Sequence, residues 1–268
     1  MRSIYLKLVS FFISLYLILC LIMYFNQESF IFYPLKINKE TKYTYPNSFK
    51  EIDLKANDGT TINNLYFETE NPKGVVYFLH GNAGNLSTWG NVAPLYLESG
   101  YNVFITDYRG FGKSEGTITD QTQLFSDAQL GYDFLKKEFK EDQIIIVGYS
   151  IGTGIASHLA SVNNPKLLIL QAPYYNLKTE MKSRFPFLPT FILKYPFENN
   201  LNLSKVKNPI LIFHGDNDYV ISHENSLKLK PLLKENDSVF ILKNQDHVGI
   251  NDNAEYQKNL IKILNDSI

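Results

Sequence analysis

The sequence has a single cysteine, Cys20, among 268 residues, so no internal disulfide and no cysteine-rich metal site can form. It also lacks an excess of charge of either sign, because 26 basic and 27 acidic residues leave a net charge of −1. A chain so nearly neutral has no electrostatic footprint for nucleic acid, and we expect no nucleic-acid partner. The histidine and aspartate residues lack the spacing of metal ligands, so we predict neither a metal nor another cofactor. The length allows one large domain or two small ones.

The sequence patterns of nucleotide-binding loops are not complete in this chain either. Residues 107–114 end in Gly-Lys-Ser, but Asp107 stands where the phosphate-loop pattern requires a glycine. No Gly-x-Gly-x-x-Gly pattern opens a helix after a predicted strand. Neither nucleotide-binding pattern is therefore present in full.

One long uncharged run is present near the amino terminus, the eighteen residues from Leu8 to Phe25. As a helix it would extend about 27 Å, close to the thickness of the hydrocarbon core of a bilayer. Tyr5 and Tyr24 lie near its ends, where interfacial aromatic residues are common. We therefore predict a retained single-pass membrane anchor at residues 1–27, which localises the protein to a membrane.

A cleaved signal peptide is the alternative interpretation of this segment. The uncharged run exceeds the usual apolar core of a signal peptide, and no Ala-x-Ala site follows it, so we favour the anchor. Basic residues lie on both sides of the run, so the positive-inside rule does not assign the side of the membrane.

Beyond a connector at residues 28–50, the pattern becomes one of strands and helices. Residues 51–55 and 61–67 alternate around an Asp-Gly turn and predict an antiparallel hairpin. The remaining elements are predicted as strands at 74–79, 101–106, 144–147, 166–171, 209–213 and 238–242, and as helices at 121–139, 151–161, 224–234 and 253–264. This alternation predicts an α/β fold over residues 51–268, with a mostly parallel central sheet and helices on both faces.

The strand at 144–147 leads into Gly148-Tyr149-Ser150-Ile151-Gly152, a Gly-x-Ser-x-Gly pattern followed by a helix of small residues. A serine between a buried strand and a helix lies on a sharp, strained turn that exposes its hydroxyl. The positions two before and two after the serine come close together on such a turn, so a Cβ at either would clash. We therefore predict that Ser150 is a catalytic nucleophile. An ordinary strand-to-helix turn that contains serine is the alternative.

A nucleophilic serine needs a base, an acid that orients the base, and donors for the developing oxyanion. On such a turn the chain order is serine, acid, histidine. His247, between the last strand and the last helix, is the predicted base. Asp216 and Asp218 share the loop after strand 209–213. One of the two is expected to bond its own backbone, as turn aspartates commonly do. We choose Asp218 as the acid and Asp216 as the fallback. The predicted oxyanion donors are the backbone N–H groups of Ile151 and of Asn82 or its neighbour.

Residues 173–206 interrupt the alternation, with Pro186, Pro189 and Pro196 among many aromatic residues and no clean helical period. In an open α/β sheet, an insertion after the carboxyl end of a strand lies over the ligand crevice. We predict a short cap with an apolar lining; a loop packed on its own side chains is the alternative.

Among the other histidines, we interpret His158 as a packing residue of a helix and His214 as a structural residue that bonds loop backbone.

Together these motifs resemble the serine hydrolases of the α/β-hydrolase superfamily. The resemblance covers about residues 50–268 and is carried, in the family's order, by Leu79–Asn85, Asp107–Gly116, Gly148–Gly152 and His214–Asp218. The chain is most similar to the membrane-anchored branch with a short cap, which includes acyl-protein thioesterases and lysophospholipid or monoacylglycerol lipases. In the family pattern the acid is the fifth residue of His-Gly-x-x-Asp, here Asp218, and Arg109 is structural. Asp246 departs from the pattern, since a glycine is common before the histidine.

The resemblance implies that the chain cleaves a carboxylic ester or thioester of an acyl or lipid substrate, through an acyl-enzyme and without a cofactor. A peptidase of the same fold is one alternative, although the predicted cap shows no obvious charged cluster to grip a peptide terminus. A non-catalytic, membrane-anchored binding protein is the other, and the presence of Ser150, Asp218 and His247 argues against it.

Overall fold

The computed structural model describes residues 2–266, so Met1 of the predicted anchor and the last two residues of the predicted domain lie outside the described residues. The strands are β1 Tyr33–Pro34, β2 Phe49–Lys55, β3 Thr61–Phe67, β4 Gly74–Leu79, β5 Ala83–Gly84, β6 Tyr101–Thr106, β7 Ile144–Tyr149, β8 Leu167–Gln171, β9 Ile210–Gly215 and β10 Ser238–Leu242. The α-helices are α1 Arg2–Ile31, α2 Leu86–Trp89, α3 Ala93–Leu97, α4 Gln121–Leu135, α5 Gly152–Val162, α6 Leu177–Arg184, α7 Asn199–Asn202, α8 Glu224–Leu229 and α9 Ala254–Asp266.

The central sheet has eight strands in the order β10-β9-β8-β7-β4-β6-β3-β2. β2 and β3 form the predicted hairpin, β3 is antiparallel to β6, and the other neighbouring strands are parallel. Two buried apolar clusters flank the sheet, one formed with α4, α5 and α8 and the other with α3 and α9. The predicted α/β fold, mostly parallel with helices on both faces, is confirmed.

The parallel strands explain why the predicted site residues can meet. β4 and β7 are buried at every residue, as uninterrupted apolar runs require when helices cover both faces of a sheet. Their carboxyl ends and those of β9 and β10 lie at the same edge of the sheet. Ser150 follows β7, Asp218 follows β9 and His247 follows β10, so the topology collects all three at that edge.

Several helices differ from the prediction. α4 ends at Leu135 and α8 ends at Leu229, each earlier than predicted, and neither α2 nor α3 was expected. A helix, α6, also forms in the cap segment, where no helical period is visible. Asn176 caps it by accepting a hydrogen bond from the N–H of Thr179. It has only eight residues, none of them buried, and so short and polar a helix gives no clear apolar period; this explains why the periodicity did not predict it.

The amino-terminal helix is longer than the uncharged run and continues to Ile31, so the first residues of the predicted connector are helical. Within residues 2–266, it is the one helix long and apolar enough to cross a membrane, and no residue of its most apolar window is buried. After it, β1 pairs in parallel with β5, in the loop that follows β4. These two-residue strands are too short to give a periodic pattern, and the pairing was not predicted.

Candidate active site

Ser150 lies on the sharp turn between β7 and α5, in a left-handed conformation with φ of 52°. A Cβ at Gly148 would lie 2.7 Å from the carbonyl oxygen of Gly152, and a Cβ at Gly152 would lie 2.2 Å from that of Leu79. Both contacts are closer than a carbon atom tolerates, so this turn requires glycine at both positions. A serine with positive φ is strained, and such strain is characteristic of functional sites.

A continuous chain of hydrogen bonds connects Ser150, His247 and Asp218. His247 Nε2 lies 3.0 Å from Ser150 Oγ, and His247 Nδ1 lies 2.7 Å from Asp218 Oδ2. Because a carboxylate only accepts hydrogen bonds, Nδ1 carries the proton and Nε2 is left to accept from the serine hydroxyl. The geometry is that of a nucleophile, a base and an acid that orients the base.

Asp218 is held by donors on both of its oxygens. Oδ1 accepts from the backbone N–H groups of Val220 and Ile221, at 2.9 and 2.8 Å. Oδ2 accepts from His214 Nε2 at 3.1 Å as well as from His247. Burial by itself raises the pKa of Asp218, but hydrogen bonds from His214, His247 and the Ile221 N–H hold that pKa well below its usual range. The carboxylate is therefore charged throughout the neutral range.

Asp216, the fallback acid, does not reach the histidine. Its backbone N–H donates to the carbonyl of Leu242, and no hydrogen bond joins its side chain to His247 among the described residues. Of the two aspartates, only Asp218 is in contact with the predicted base.

His214 supports Asp218, a contact that the sequence did not reveal. Its Nε2 lies 2.8 Å from the carbonyl of Ile221, and its Nδ1 lies 2.7 Å from Ser226 Oγ. The bond to Ile221 agrees with the expected role in bonding loop backbone. His158 stacks on Phe125 with ring centroids 3.8 Å apart, as a packing residue does.

Two residues shape the loop that carries His247. The hydroxyl of Tyr149, which immediately precedes Ser150, donates to the backbone carbonyl of His247. Burial, followed by the nearby Asp218, raises the pKa of Tyr149, so this hydroxyl keeps its proton and remains a donor. Asp246 Oδ1 accepts from the N–H of Val248 at 2.9 Å and so stabilises the turn at the position where a glycine is common. Tyr149 was missed by the sequence reasoning, which gave no role to the residue before the nucleophile.

The predicted oxyanion donors lie beside the serine. Asn82 and Ile151 line the same cavity as Ser150, and neither backbone N–H is bonded to another residue within the described part of the chain. The connector holds the loop that carries Asn82. The N–H of Tyr33 donates to the Asn82 carbonyl at 2.7 Å, and Asn82 Nδ2 donates to the Ile31 carbonyl at 2.9 Å.

An apolar cavity of about 340 Å³ opens above Ser150. Its walls come mainly from the cap and the last turns of α1, and also from the nucleophile turn and the loops that carry Asn82 and Asp218. The cap contributes Leu177, Met181, Phe185, Leu188, Ile192 and Leu193, and α1 contributes Met23, Gln27, Phe30 and Ile31. Two charged cap residues, Glu180 and Arg184, also line the cavity. The expected apolar cap is therefore present, but a helix that was predicted only to anchor the protein completes the cavity wall.

Polar contacts bind this end of α1 to the cap. The buried side chain of Gln27 donates to the carbonyl of Ile192 at 3.1 Å and accepts from the N–H of Lys194 at 2.8 Å. Glu28 forms an ion pair with Lys194 at 2.7 Å and accepts from the hydroxyl of Tyr195 at 2.7 Å. These bonds fix the helix against the cap with a defined register.

Comparisons with known proteins agree with this architecture. Residues 70–201 match the model of the family described as serine aminopeptidase, S33. The esterase Pf2001 of Pyrococcus furiosus superposes with a TM-score of 0.71 over 88% of this chain and 97% of its own, at 19% sequence identity.

Curated relatives include the uncharacterized protein R595 of Acanthamoeba polyphaga mimivirus, which is 28% identical over 85% of this chain and 85% of its own length. Lysophosphatidylserine lipase ABHD12 of Danio rerio is 30% identical over 65% of this chain, and the match spans 50% of that lipase. The chain therefore has the fold of the α/β hydrolases, and its sequence is similar to those of hydrolases of the esterase and lipase type.

Proposed function

We propose that this protein is a membrane-anchored hydrolase that cleaves carboxylic ester or thioester bonds of acyl substrates through an acyl-enzyme. One observation carries the proposal: the hydrogen-bonded chain from Asp218 through His247 to Ser150 ends at an apolar cavity. A serine nucleophile beside a large apolar wall suits a carbonyl attached to a hydrocarbon chain.

In the proposed reaction, Ser150 Oγ attacks the substrate carbonyl while its proton passes to His247 Nε2. Asp218 stabilises the resulting imidazolium through the Nδ1 hydrogen bond. His247 then donates that proton to the leaving oxygen or sulfur, the carbonyl re-forms, and an acyl ester of Ser150 remains. A water molecule, deprotonated by His247 Nε2, attacks this ester. As the tetrahedral intermediate collapses, His247 returns the proton to Ser150 Oγ and the carboxylic acid is released.

The N–H groups of Ile151 and Asn82 would bind the oxyanion of both tetrahedral intermediates. Both residues line the cavity, and neither N–H group has a competing acceptor within the described residues. Removing one such donor typically costs about 3–4 kcal/mol of transition-state stabilisation, so the position of the Asn82 loop matters for the rate.

The substrate class follows from the cavity. Apolar side chains from the cap and α1 make up most of its wall, and its volume of about 340 Å³ lies in the range of small-molecule sites. The similarity to a lysophosphatidylserine lipase supports a single-chain acyl lipid as the substrate class.

The contacts of α1 support a retained anchor rather than a cleaved signal peptide. Cleavage after the apolar run would remove Gln27 and Glu28 or free them from the helix, and with them the bonds to the cap. We accordingly propose an anchor at residues 1–27, a connector at 28–50 and a hydrolase domain at 51–268 with its cap at 173–206.

The test is hydrolysis of p-nitrophenyl esters and acyl thioesters of graded chain length by the full chain in detergent or vesicles. We expect turnover that increases with acyl length and falls by at least about 10⁴-fold in Ser150→Ala. Absence of turnover in a folded protein would favour the binding-protein alternative.

A peptidase is the second candidate, because the matching family model is described as a serine aminopeptidase and Glu180 lines the cavity, where it could pair with a substrate amine. Amino-acid p-nitroanilides tested beside the esters separate the two. Turnover of an anilide faster than that of every ester would replace the proposed ester substrate.

A further inference from the structure

The cap reaches far along the predicted membrane segment. The hydroxyl of Tyr16 donates to the backbone carbonyl of Phe187 at 2.8 Å. Tyr16 lies nine residues before Phe25, the end of the uncharged run, a separation of about 13 Å along a helix. If the run crosses a bilayer, Phe187 lies at the depth of the acyl chains and not at the water boundary.

The side chains at this end of the cap are apolar and exposed. Phe185 and Phe187, here called the cap tip, are 37% and 58% exposed, and their ring centroids lie 6.4 Å apart. Exposed apolar patches of this kind mark interaction sites. The exposed cations Lys182 and Arg184 immediately precede the cap tip in the chain. Apolar side chains beside lysine and arginine are the pattern of segments that lie in a membrane interface.

The surface of α1 beside the cap tip continues this apolar patch. The most apolar window of the helix has no buried residue, so the protein itself covers neither this helix surface nor the cap tip beside it. A membrane leaflet covers both at once, whereas a protein partner would have to displace lipid from the helix first.

The cavity above Ser150 is continuous with this surface. Phe185 belongs both to the cap tip and to the cavity wall, and Met23 and Phe30 of α1 line the same cavity. An acyl chain that lies along α1 in the leaflet could therefore enter between the helix and the cap without crossing water, which would avoid the cost of exposing its methylene groups.

We propose that the cap tip is immersed in the leaflet that surrounds α1, and that the cavity takes the acyl chain of a membrane lipid directly from that leaflet. The first part depends only on the geometry of the cap and the helix. The second part rests on the proposed function, since it names the source of that substrate.

Depth measurements test the first part without reference to catalysis. In a Cys20→Ala background, Phe187→Cys and Val162→Cys are labelled with an environment-sensitive fluorophore and reconstituted in phosphatidylcholine vesicles. Val162 is a matched control, because it is 60% exposed and lies at the far end of α5 from Ser150. We expect doxyl-labelled phosphatidylcholine to quench the label at position 187 and aqueous iodide to quench the label at 162. Iodide quenching at both positions would overturn the proposal, as would protection at 187 that disappears on dilution, which would identify a second copy as the cover.

Hydrolysis tests the second part. The ratio of p-nitrophenyl palmitate hydrolysis in phosphatidylcholine vesicles to p-nitrophenyl butyrate hydrolysis in solution is compared for wild type, Phe187→Glu and Val162→Glu. A carboxylate is costly in the acyl region, so we expect Phe187→Glu to lower this ratio by at least about tenfold and Val162→Glu to leave it unchanged. An unchanged ratio in Phe187→Glu, with butyrate hydrolysis still dependent on Ser150, would overturn delivery from the leaflet. Butyrate hydrolysis that persists in Ser150→Ala would instead count against the proposed function.

Discussion

Replacing Asp218 with asparagine tests the hydrogen-bonded chain at its acid. In the wild type, Oδ1 accepts from two backbone N–H groups and Oδ2 accepts from His247 and His214. An asparagine can keep the two backbone bonds only if its oxygen occupies the position of Oδ1. Its NH₂ group then faces His247 Nδ1, which must become an acceptor.

This change moves the proton of His247 from Nδ1 to Nε2. The protonated Nε2 faces Ser150 Oγ and cannot accept the serine proton, so general-base catalysis is lost. The same change of tautomer in other serine hydrolases lowers kcat by about 10⁴-fold, or about 5 kcal/mol in activation free energy, and we expect a similar loss here. Because the backbone bonds to Val220 and Ile221 persist, we expect the fold to remain intact.

The assay is steady-state hydrolysis of a soluble p-nitrophenyl ester at neutral pH, with thermal unfolding followed by circular dichroism. Asp216→Asn is the matched control, because it removes a carboxylate from the same loop without touching His247. Turnover by Asp218→Asn close to that of wild type, in a folded protein, would refute the assignment. A large loss in Asp216→Asn alone would move the role to that residue.

Three further predictions concern the turn, the connector and the stability. Gly152→Ala places a Cβ 2.2 Å from a backbone carbonyl oxygen, so we expect it to abolish activity and to lower the free energy of unfolding, measured in urea, by about 1–3 kcal/mol. Asn82→Ala keeps its backbone N–H but loses the bond to the connector, and we expect kcat to fall by about tenfold with little change in KM. Burial lowers the pKa of His158 from its ordinary value of 6.5, so the fold favours the neutral ring and unfolding takes up a proton. The stability that this contributes is present above about pH 6.5 and is lost as the pH falls, so between about pH 7 and 5 the wild type should lose more unfolding free energy than His158→Gln.

Each of these predictions has a contradicting result. An active, fully stable Gly152→Ala would mean that the turn tolerates a Cβ. Unchanged kcat in Asn82→Ala would mean that the connector does not position the oxyanion loop. Parallel pH profiles of unfolding free energy for wild type and His158→Gln would mean that this histidine is not held in its neutral form.

Much of the fold could be predicted because the relevant signals are local. The uninterrupted apolar strands and the alternation with helices predict a parallel sheet, and parallel strands bring Ser150, Asp218 and His247 to one edge. The elbow glycines are also a local requirement, and the contacts of Gly148 and Gly152 agree with the steric argument made from the sequence.

The choice between Asp216 and Asp218 could not be made from the residues alone. Both lie on one loop, and their difference arises from the turn in which Asp218 Oδ1 bonds the N–H groups two and three residues ahead while Oδ2 faces His247. Composition and spacing do not encode that turn, so only the family pattern distinguished the two. The catalytic roles of these residues stay a prediction.

The participation of α1 in the cavity was not predictable for a different reason. Gln27 contacts Ile192 and Lys194, which lie more than a hundred residues further along the chain, and no local pattern reports such a pairing. In the sequence, a glutamine just after an apolar run indicates only the polar boundary of a membrane anchor. The partners of Gln27 depend on the position of the cap. The sequence indicated the cap only as an interruption in the alternation of strands and helices.

The most direct measurement of the central claim is labelling of the full-length protein in membranes with a fluorophosphonate probe, followed by mass spectrometry of the peptide that contains Ser150. We expect one adduct, on Ser150 Oγ, that is absent in Ser150→Ala and forms more slowly in Asp218→Asn, because an activated serine reacts with the probe and an ordinary hydroxyl does not. A folded wild-type protein without an adduct, or an adduct that persists in Ser150→Ala, would contradict this claim.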